Sequence, residues 1–220
     1  MRNRFDRQLE LLNDELTKMG ALCENAIASA VEAMQKNDKA LIKQTVLIDS
    51  DIDRAEKDIE QLCLRLILQQ QPVAKDLRVI SSALKIITDM ERIGDQASDI
   101  AELVKFADLS DCEMLSETVK QAKDVIYMVT GSVNAFVNKD LSLARSVINY
   151  DDRVDELFEK IKRNIIAHIA SGADSAVQLV DILMIAKYLE RIGDHATNIA
   201  EWVEFSITGH HPDEDEQTLP

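Results

Sequence analysis

The sequence predicts an all-α protein made of two tandem homologous three-helix bundles, and three observations support this. Only three prolines and six glycines occur in 220 residues, and aromatic residues make up 4%, which is typical of long helices. Apolar residues recur at helical spacing over almost the whole chain. The phrase Glu-Arg-Ile-Gly-Asp stands at 91–95 and returns 99 residues later at 190–194, which indicates an internal duplication.

The first bundle is predicted to span residues 1–107 and to contain three helices. The first ends near Lys36, where an Asn-Asp pair supplies a turn and a helix N-cap. The second ends at the Gln-Gln-Pro stop at 70–72, because proline cannot continue a helix. The third carries the repeated phrase and extends to about Ala107. Short connections make successive helices antiparallel neighbours.

The second bundle is predicted to span residues 108–208 and to repeat this arrangement after a linker at 108–113. A Lys-Asp pair takes the place of the Asn-Asp turn. The fourth helix is expected at 114–138, the fifth at about 141–170, and the sixth up to about Ile207. Residues 209–220 are polar and acidic, which predicts a disordered tail.

The charge and the cysteines exclude several classes of protein. A formal net charge of −15 argues against nucleic-acid binding, which needs a basic face, and favours cations or basic protein surfaces as partners. The three cysteines are widely spaced and fit neither a disulfide framework nor a zinc ribbon. No signal peptide or run of about 18 apolar residues occurs. We therefore expect a cytoplasmic protein without a membrane span.

Acidic residues at helical spacing follow both copies of the repeated phrase. At about 100° per residue, Glu91, Asp95 and Asp99 fall on one face of the third helix, roughly 80° wide. The sixth helix repeats this stripe with an amide in the last place. The equivalent residues are Glu190, Asp194 and Asn198.

The preceding helix of each half adds an acidic pair, Asp49 and Asp53 in the first half and Asp151 and Asp155 in the second. Like charges four residues apart on a helix cost a few tenths of a kcal/mol, and two facing stripes cost more. Hard cations offset this repulsion, since carboxylate oxygens from two helices can chelate or bridge a metal ion. The alternative is an ordinary solvated face on which the acids pair with neighbouring arginines.

The two acidic stripes are not identical. Asn198 replaces a carboxylate, and Glu56 and Glu60, which extend the first pair, correspond to Phe158 and Lys162. We therefore expect the second site to be weaker than the first, or differently occupied. A glycine stands within each repeated phrase although mid-helix glycine costs roughly 1 kcal/mol relative to alanine, and this predicts close helix packing.

The segment Gln-Gln-Pro-Val-Ala-Lys-Asp-Leu-Arg at 70–78, the doubled phrase and the upstream acidic pairs together resemble the PhoU family over the whole chain except the tail. The resemblance implies a cytoplasmic, often dimeric accessory protein of high-affinity phosphate uptake. It implies negative regulation of the phosphate-starvation response. It further implies contacts with the phosphate transporter ATPase subunit and with a phosphate-responsive sensor histidine kinase.

The same resemblance implies multinuclear clusters of divalent or trivalent metal ions, iron or zinc in some members. Carried onto this sequence, the first site consists of Asp49, Asp53, Glu91, Asp95 and Asp99. The second consists of Asp151, Asp155, Glu190, Asp194 and Asn198.

The leading hypothesis is a non-enzymatic regulator. One alternative is a metal-free helical adaptor, and another is a carboxylate-bridged metal-storage or di-metal protein. Di-iron bundles use Glu-x-x-His motifs, but isoleucine stands three residues before both His168 and His195. No nucleophile–base set or phosphate-cradling glycine loop is visible, and we therefore expect no enzymatic activity.

Overall fold

The computed structural model describes residues 2–70, 72–107, 109, 112–172 and 176–211, and these residues form helices and short connections without a strand. The helices are α1 (Arg2–Lys36), α2 (Lys39–Gln70), α3 (Ala74–Val104), α4 (Leu115–Asn138), α5 (Leu141–Ile148), α6 (Asp151–Ala170) and α7 (Ala176–Thr208). Helices α1 to α3 pack on one another as the first bundle, and α4 packs with α5, α6 and α7 as the second. The predicted all-α class with two tandem three-helix bundles is confirmed.

The fifth predicted helix is interrupted in its middle and forms α5 and α6. Asn149 and Tyr150 keep right-handed helical backbone angles, so the chain does not reverse there. The Tyr150 N–H donates to the carbonyl of Val147 at 3.0 Å, a tightened turn of the kind that ends helices. The Tyr150 hydroxyl donates to Asp124 Oδ1 on α4 at 3.0 Å, and its ring packs against Tyr127. These contacts with α4 hold the interruption in place.

The predicted turns before the second helix of each bundle are confirmed. Asn37 and Lys139 both adopt left-handed backbone angles, with φ of 49° and 54°. Asp38 Oδ1 then accepts a hydrogen bond from the backbone N–H of residue 40 at 2.8 Å, and Asp140 Oδ1 accepts one from that of residue 143 at 3.0 Å. Both carboxylates therefore cap the helix that follows, Asp38 through the second residue of α2 and Asp140 through the third residue of α5.

The two bundles pack against each other through α3 with α7 and α1 with α4. The helices α3 and α7 run antiparallel, since Lys85 near the start of α3 lies 5.8 Å from the ring of Trp202 near the end of α7, whereas Asp99 on α3 contacts Tyr188 on α7. Buried residues of both bundles form one continuous apolar cluster. The acidic stripes of the two halves are therefore held on one rigid scaffold.

Helix α3 ends at Val104, a few residues earlier than expected. In the connection that follows, Leu109 is buried against the core. Most of the predicted tail, residues 212–220, lies outside the described residues. Division of the chain at residue 107 stays a prediction. Throughout the described ranges, no helix combines the length and the apolar character that crossing a bilayer requires.

Candidate functional site

The acidic stripes lie where two helices of each bundle come closest together. The first acidic face, between α2 and α3, consists of Asp49, Asp53, Glu91 and Asp95; the second, between α6 and α7, consists of Asp151, Asp155, Glu190 and Asp194. A Cβ at Gly94 would lie 2.9 Å from Asp49 Oδ1 and 3.0 Å from Ile52 Cδ1, and one at Gly193 would lie 3.5 Å from Asp151 Oδ1. The repeated glycine therefore permits the close approach, as the sequence predicts.

Asp49 is the innermost carboxylate of the first acidic face. Burial, together with the negative charges of Asp95 and Asp53, raises the pKa of Asp49 to about 6, although a hydrogen bond from Ser98 partly opposes the shift. Its Oδ1 atom is buried and has no hydrogen-bond partner among the described residues. A buried acceptor oxygen amid negative charge is an environment that a bound cation would stabilise.

Asp151 occupies the same place in the second acidic face. Burial, together with the charges of Asp155 and Asp194, raises the pKa of Asp151 to about 6, and the nearby Thr197 side chain partly opposes the rise. Its Oδ1 atom is also buried without a hydrogen-bond partner in the described part of the chain. Thr197 lies 99 residues after Ser98, so each copy of the repeat places a hydroxyl beside its innermost carboxylate.

The second acidic face brings three carboxylates together. One oxygen from each of Asp155, Glu190 and Asp194 lies within 4.8 Å of the others. Partial burial and the charge of Glu190 raise the pKa values of Asp155 and Asp194, and Lys187 partly offsets both shifts. Lys187 forms an ion pair with Glu190, and its ammonium lies 5.4 Å from the centre of the Phe158 ring.

The corresponding residues of the first acidic face are held by an arginine. Arg92 Nε lies 3.3 Å from Glu91 Oε2, and Arg92 Nη1 lies 2.8 Å from Asp95 Oδ2. Burial and the charge of Asp95 raise the pKa of Glu91, and Arg92 opposes this. Among the described residues, three carboxylates with oxygens within 4.8 Å of one another are found in the second face. In that face Glu190 pairs with Lys187 and not with an arginine.

Asp99 and Asn198, the last residues of the two stripes, contact the neighbouring bundle. The side chain of Tyr188 on α7 forms a hydrogen bond with Asp99 on α3. Asn198 Nδ2 donates to Asp89 Oδ1 at 3.3 Å, and His195 Nδ1 lies 2.9 Å from the same oxygen. The charge of Asp99 still acts on Asp49. Their assignment as metal ligands stays a prediction.

Sequence reasoning missed the partners that lie around the acidic faces. The hydroxyls of Ser98 and Thr197 could have been found, since they recur in register. Asp89 and Tyr188 are also 99 residues apart, but their chemistry differs, and only the docking of α3 on α7 makes each a partner of the other bundle's stripe. Lys187 carries no repeat signal, because threonine stands at the equivalent position 88.

Both faces fit a hard cation by the chemistry of their donors. Carboxylate oxygens are the ligands that Ca²⁺, Mg²⁺ and Mn²⁺ prefer, and iron and zinc also accept them. The buried oxygens of Asp49 and Asp151 have no hydrogen-bond partner in the described chain. Against this, Arg92 and Lys187 already neutralise part of each face. A cation would therefore compete with a side chain of the protein itself.

Proteins similar to this chain along most of its length are known. The "Phosphate-specific transport system accessory protein PhoU homolog" of Clostridium acetobutylicum is 37% identical over 211 residues, covering 95% of this chain and 96% of the relative. A homolog 1 of the same description from Thermotoga maritima is 34% identical over 209 residues, covering 93% of this chain and 89% of the relative.

Solved structures agree with these sequence relationships. The crystal structure of PhoU from Pseudomonas aeruginosa superposes with a TM-score of 0.87 at 34% identity, covering 94% of this chain and all of that one. The regulatory protein PhoU from Streptococcus pneumoniae gives the same TM-score at 26% identity, covering 94% and 98%. The family model described as "PhoU domain" matches twice, at residues 16–104 and 118–203. The chain therefore belongs to the PhoU family.

Proposed function

We propose that this chain is a cytoplasmic, homodimeric accessory regulator of phosphate uptake and a negative regulator of the phosphate-starvation response. Its relatives carry the name of an accessory protein of a phosphate-specific transport system. The observation that carries the proposal is the acidic face built at the equivalent place in each bundle. The protein acts through contacts with the phosphate transporter ATPase and a sensor histidine kinase, and not through catalysis.

In this proposal, each acidic face holds divalent or trivalent metal ions, with iron or zinc as the leading candidates. The first face would use its four carboxylates with Asp99, and the second would use its four with Asn198. A bound cation supplies positive charge that offsets the repulsion between the facing carboxylates. The innermost residues, Asp49 and Asp151, contribute the buried oxygens. Glu91 contributes a further buried oxygen, Oε2, to the first face.

The regulatory role is tested by complementation. A strain that lacks the gene for this chain should express a phosphate-starvation reporter constitutively in phosphate-replete medium, and the wild-type chain should restore repression. A variant with Asp49→Asn and Asp151→Asn, present at the wild-type level by immunoblot, should restore less repression if the acidic faces matter. Failure of the wild-type chain to repress the reporter would count against the regulatory assignment.

The partners are tested by affinity purification from phosphate-replete cells, with and without a chelator. The proposal expects the transporter ATPase and the sensor kinase among the captured proteins. Their loss in chelator would place the bound metal in the contact, and their absence from both samples would exclude this mode of regulation. Sedimentation of the purified chain tests the homodimer.

A metal-free helical adaptor is the second candidate, and the ion pairs of Arg92 and Lys187 favour it, because they partly neutralise both faces. Elemental analysis of untagged protein, purified without chelator, separates the two. Less than one metal ion per several chains would favour the adaptor. Several bound ions per chain, whose loading and release leave partner binding unchanged, would instead favour a carboxylate-bridged storage protein.

A further inference from the structure

An apolar groove opens at one end of the first bundle, within about one helical turn of Asp49 along α2. It lies between the first turns of α2 and the last turn of α3 and has a volume of about 470 Å³. Its apolar lining comes from Ile42, Val46 and Leu47 of α2. Leu47 is 68% exposed and Val46 is 41% exposed. Apolar side chains are therefore open to a ligand.

The rim of this groove is basic in a strongly acidic chain. Lys39, Lys43 and Lys105 line it together with one acid, Glu102. None of the three lysines forms an ion pair with a carboxylate among the described residues. The ammonium of Lys105 lies 5.1 Å from the centre of the Phe106 ring. That ring is 84% exposed and adds apolar surface beside the rim.

The duplicated position in the second bundle is bridged by an ion pair between α5 and α7. Lys43 corresponds to Arg145 and Lys105 to Glu204, by the offsets of 102 and 99 residues that relate the two halves. Arg145 Nη2 lies 2.6 Å from Glu204 Oε1, so α5 and α7 are joined there. In the first bundle both positions are lysines, which repel each other. The second bundle also carries Asn149 where the first has Leu47.

We propose that this groove, lined by Ile42, Val46 and Leu47 and rimmed by Lys39, Lys43 and Lys105, is a docking site for an acidic amphipathic helix of a partner protein. The apolar face of such a helix covers the exposed aliphatic side chains, as in other helix-in-groove complexes. Its carboxylates take the place that Glu204 fills in the second bundle. Charge complementarity with the three lysines selects an acidic segment.

The docking site shares no residue with the two acidic faces, and the proposal does not depend on phosphate regulation. Its test uses a fluorescein-labelled peptide of about five helical turns, with leucine at helical spacing on one face and glutamate on the other. A matched peptide carries lysine in place of every glutamate. Fluorescence anisotropy of the full chain with each peptide, in low salt and in high salt, measures binding.

Two double variants make the test specific. Lys43→Glu with Leu47→Asn places a carboxylate opposite Lys105, with the signs exchanged relative to the Arg145–Glu204 pair, and introduces the asparagine of the second bundle. It is expected to weaken binding of the acidic peptide at least about tenfold. Lys75→Glu with Leu68→Asn makes the same change in charge and apolar surface at exposed positions near the far end of the bundle, and it should leave binding unchanged. All four positions are exposed, and circular dichroism confirms that both variants fold.

Several results would overturn the proposal. One is equal or tighter binding of the lysine peptide, and another is an equal loss of binding in both double variants. Sedimentation that changes from dimer to monomer in the Lys43→Glu, Leu47→Asn variant alone would identify a second copy of this chain as the occupant. Binding of the wild-type chain to phosphatidylglycerol vesicles that this variant abolishes would identify a membrane instead.

Discussion

Replacing the repeated glycine of each bundle by alanine is expected to have unequal effects on stability, although the two positions are duplicates. Both sites lie inside a long helix, where alanine is more favourable than glycine by about 1 kcal/mol. This gain is the same for Gly94→Ala and Gly193→Ala. The difference must therefore come from what the new methyl group meets on the facing helix.

The new methyl group at Gly94 would lie 2.9 Å from Asp49 Oδ1 and 3.0 Å from Ile52 Cδ1. Ile52 is fully buried and cannot move into solvent, and overpacking of this kind costs about 1–3 kcal/mol. At Gly193 the nearest atom is Val154 Cγ1 at 3.3 Å, which requires a shift of a few tenths of an ångström. We expect Gly94→Ala to be neutral to about 2 kcal/mol destabilising and Gly193→Ala to be neutral to about 1 kcal/mol stabilising.

The assay is urea unfolding followed by circular dichroism, in buffer with chelator so that metal binding does not contribute. The midpoints can be compared if the unfolding free energy depends on urea concentration with the same slope in both variants and the wild type. A change of this slope would indicate a different unfolding transition. A midpoint for Gly94→Ala equal to or above that for Gly193→Ala would refute the argument. It would mean that α2 and α3 are free to separate at this point.

Three further outcomes are expected. The folded state raises the pKa of Asp49 from an ordinary 3.8 to about 6, so metal-free protein loses stability as pH rises through that interval. Asp49→Asn should remove the part of this loss that Asp49 causes, and it should raise the urea midpoint more at pH 7 than at pH 4. Asp95→Ala and Asp194→Ala should lower the bound metal, measured by elemental analysis, to different extents, and equal losses would contradict unequal sites. Tyr188→Phe removes a hydrogen bond to Asp99 and should cost about 1 kcal/mol in urea unfolding.

Features that depend on local sequence were predictable, and the structure places them as expected. The helix starts after Asp38 and Asp140 follow from short side chains that cap a helix wherever the chain turns. The close packing at Gly94 and Gly193 could be predicted because glycine within a helix is unfavourable. Its presence in both copies of the repeat indicates that a neighbouring helix packs closely there. The acidic stripes follow from helical spacing alone.

Features that depend on how the bundles dock could not be predicted from one sequence. The antiparallel contact of α3 with α7 joins Asp99 to Tyr188 and Asp89 to Asn198. The repeat relates these two contacts to each other, but it does not reveal that the two helices pack together. The interruption before Asp151 likewise depends on contacts of Tyr150 with α4. Periodicity predicts which face of a helix is buried, but it does not identify the residue that the face meets.

The two acidic faces differ most in the basic side chain that neutralises each of them, Arg92 in the first and Lys187 in the second. For the affinity of each face for a metal ion, this difference matters more than the number of carboxylates. Arg92 has a forked guanidinium that contacts one oxygen of Glu91 and one of Asp95, and a metal would have to compete with it for both carboxylates. In the second face Lys187 pairs with Glu190 and lies close to the ring of Phe158, the residue that replaces an acid of the first half. A lysine is a point charge on a flexible stem and can leave its one carboxylate more readily than an arginine that contacts two carboxylates at once. The second face therefore combines fewer acids with a better assembled cluster, and the affinity of each face depends on how far its own cation yields to the metal.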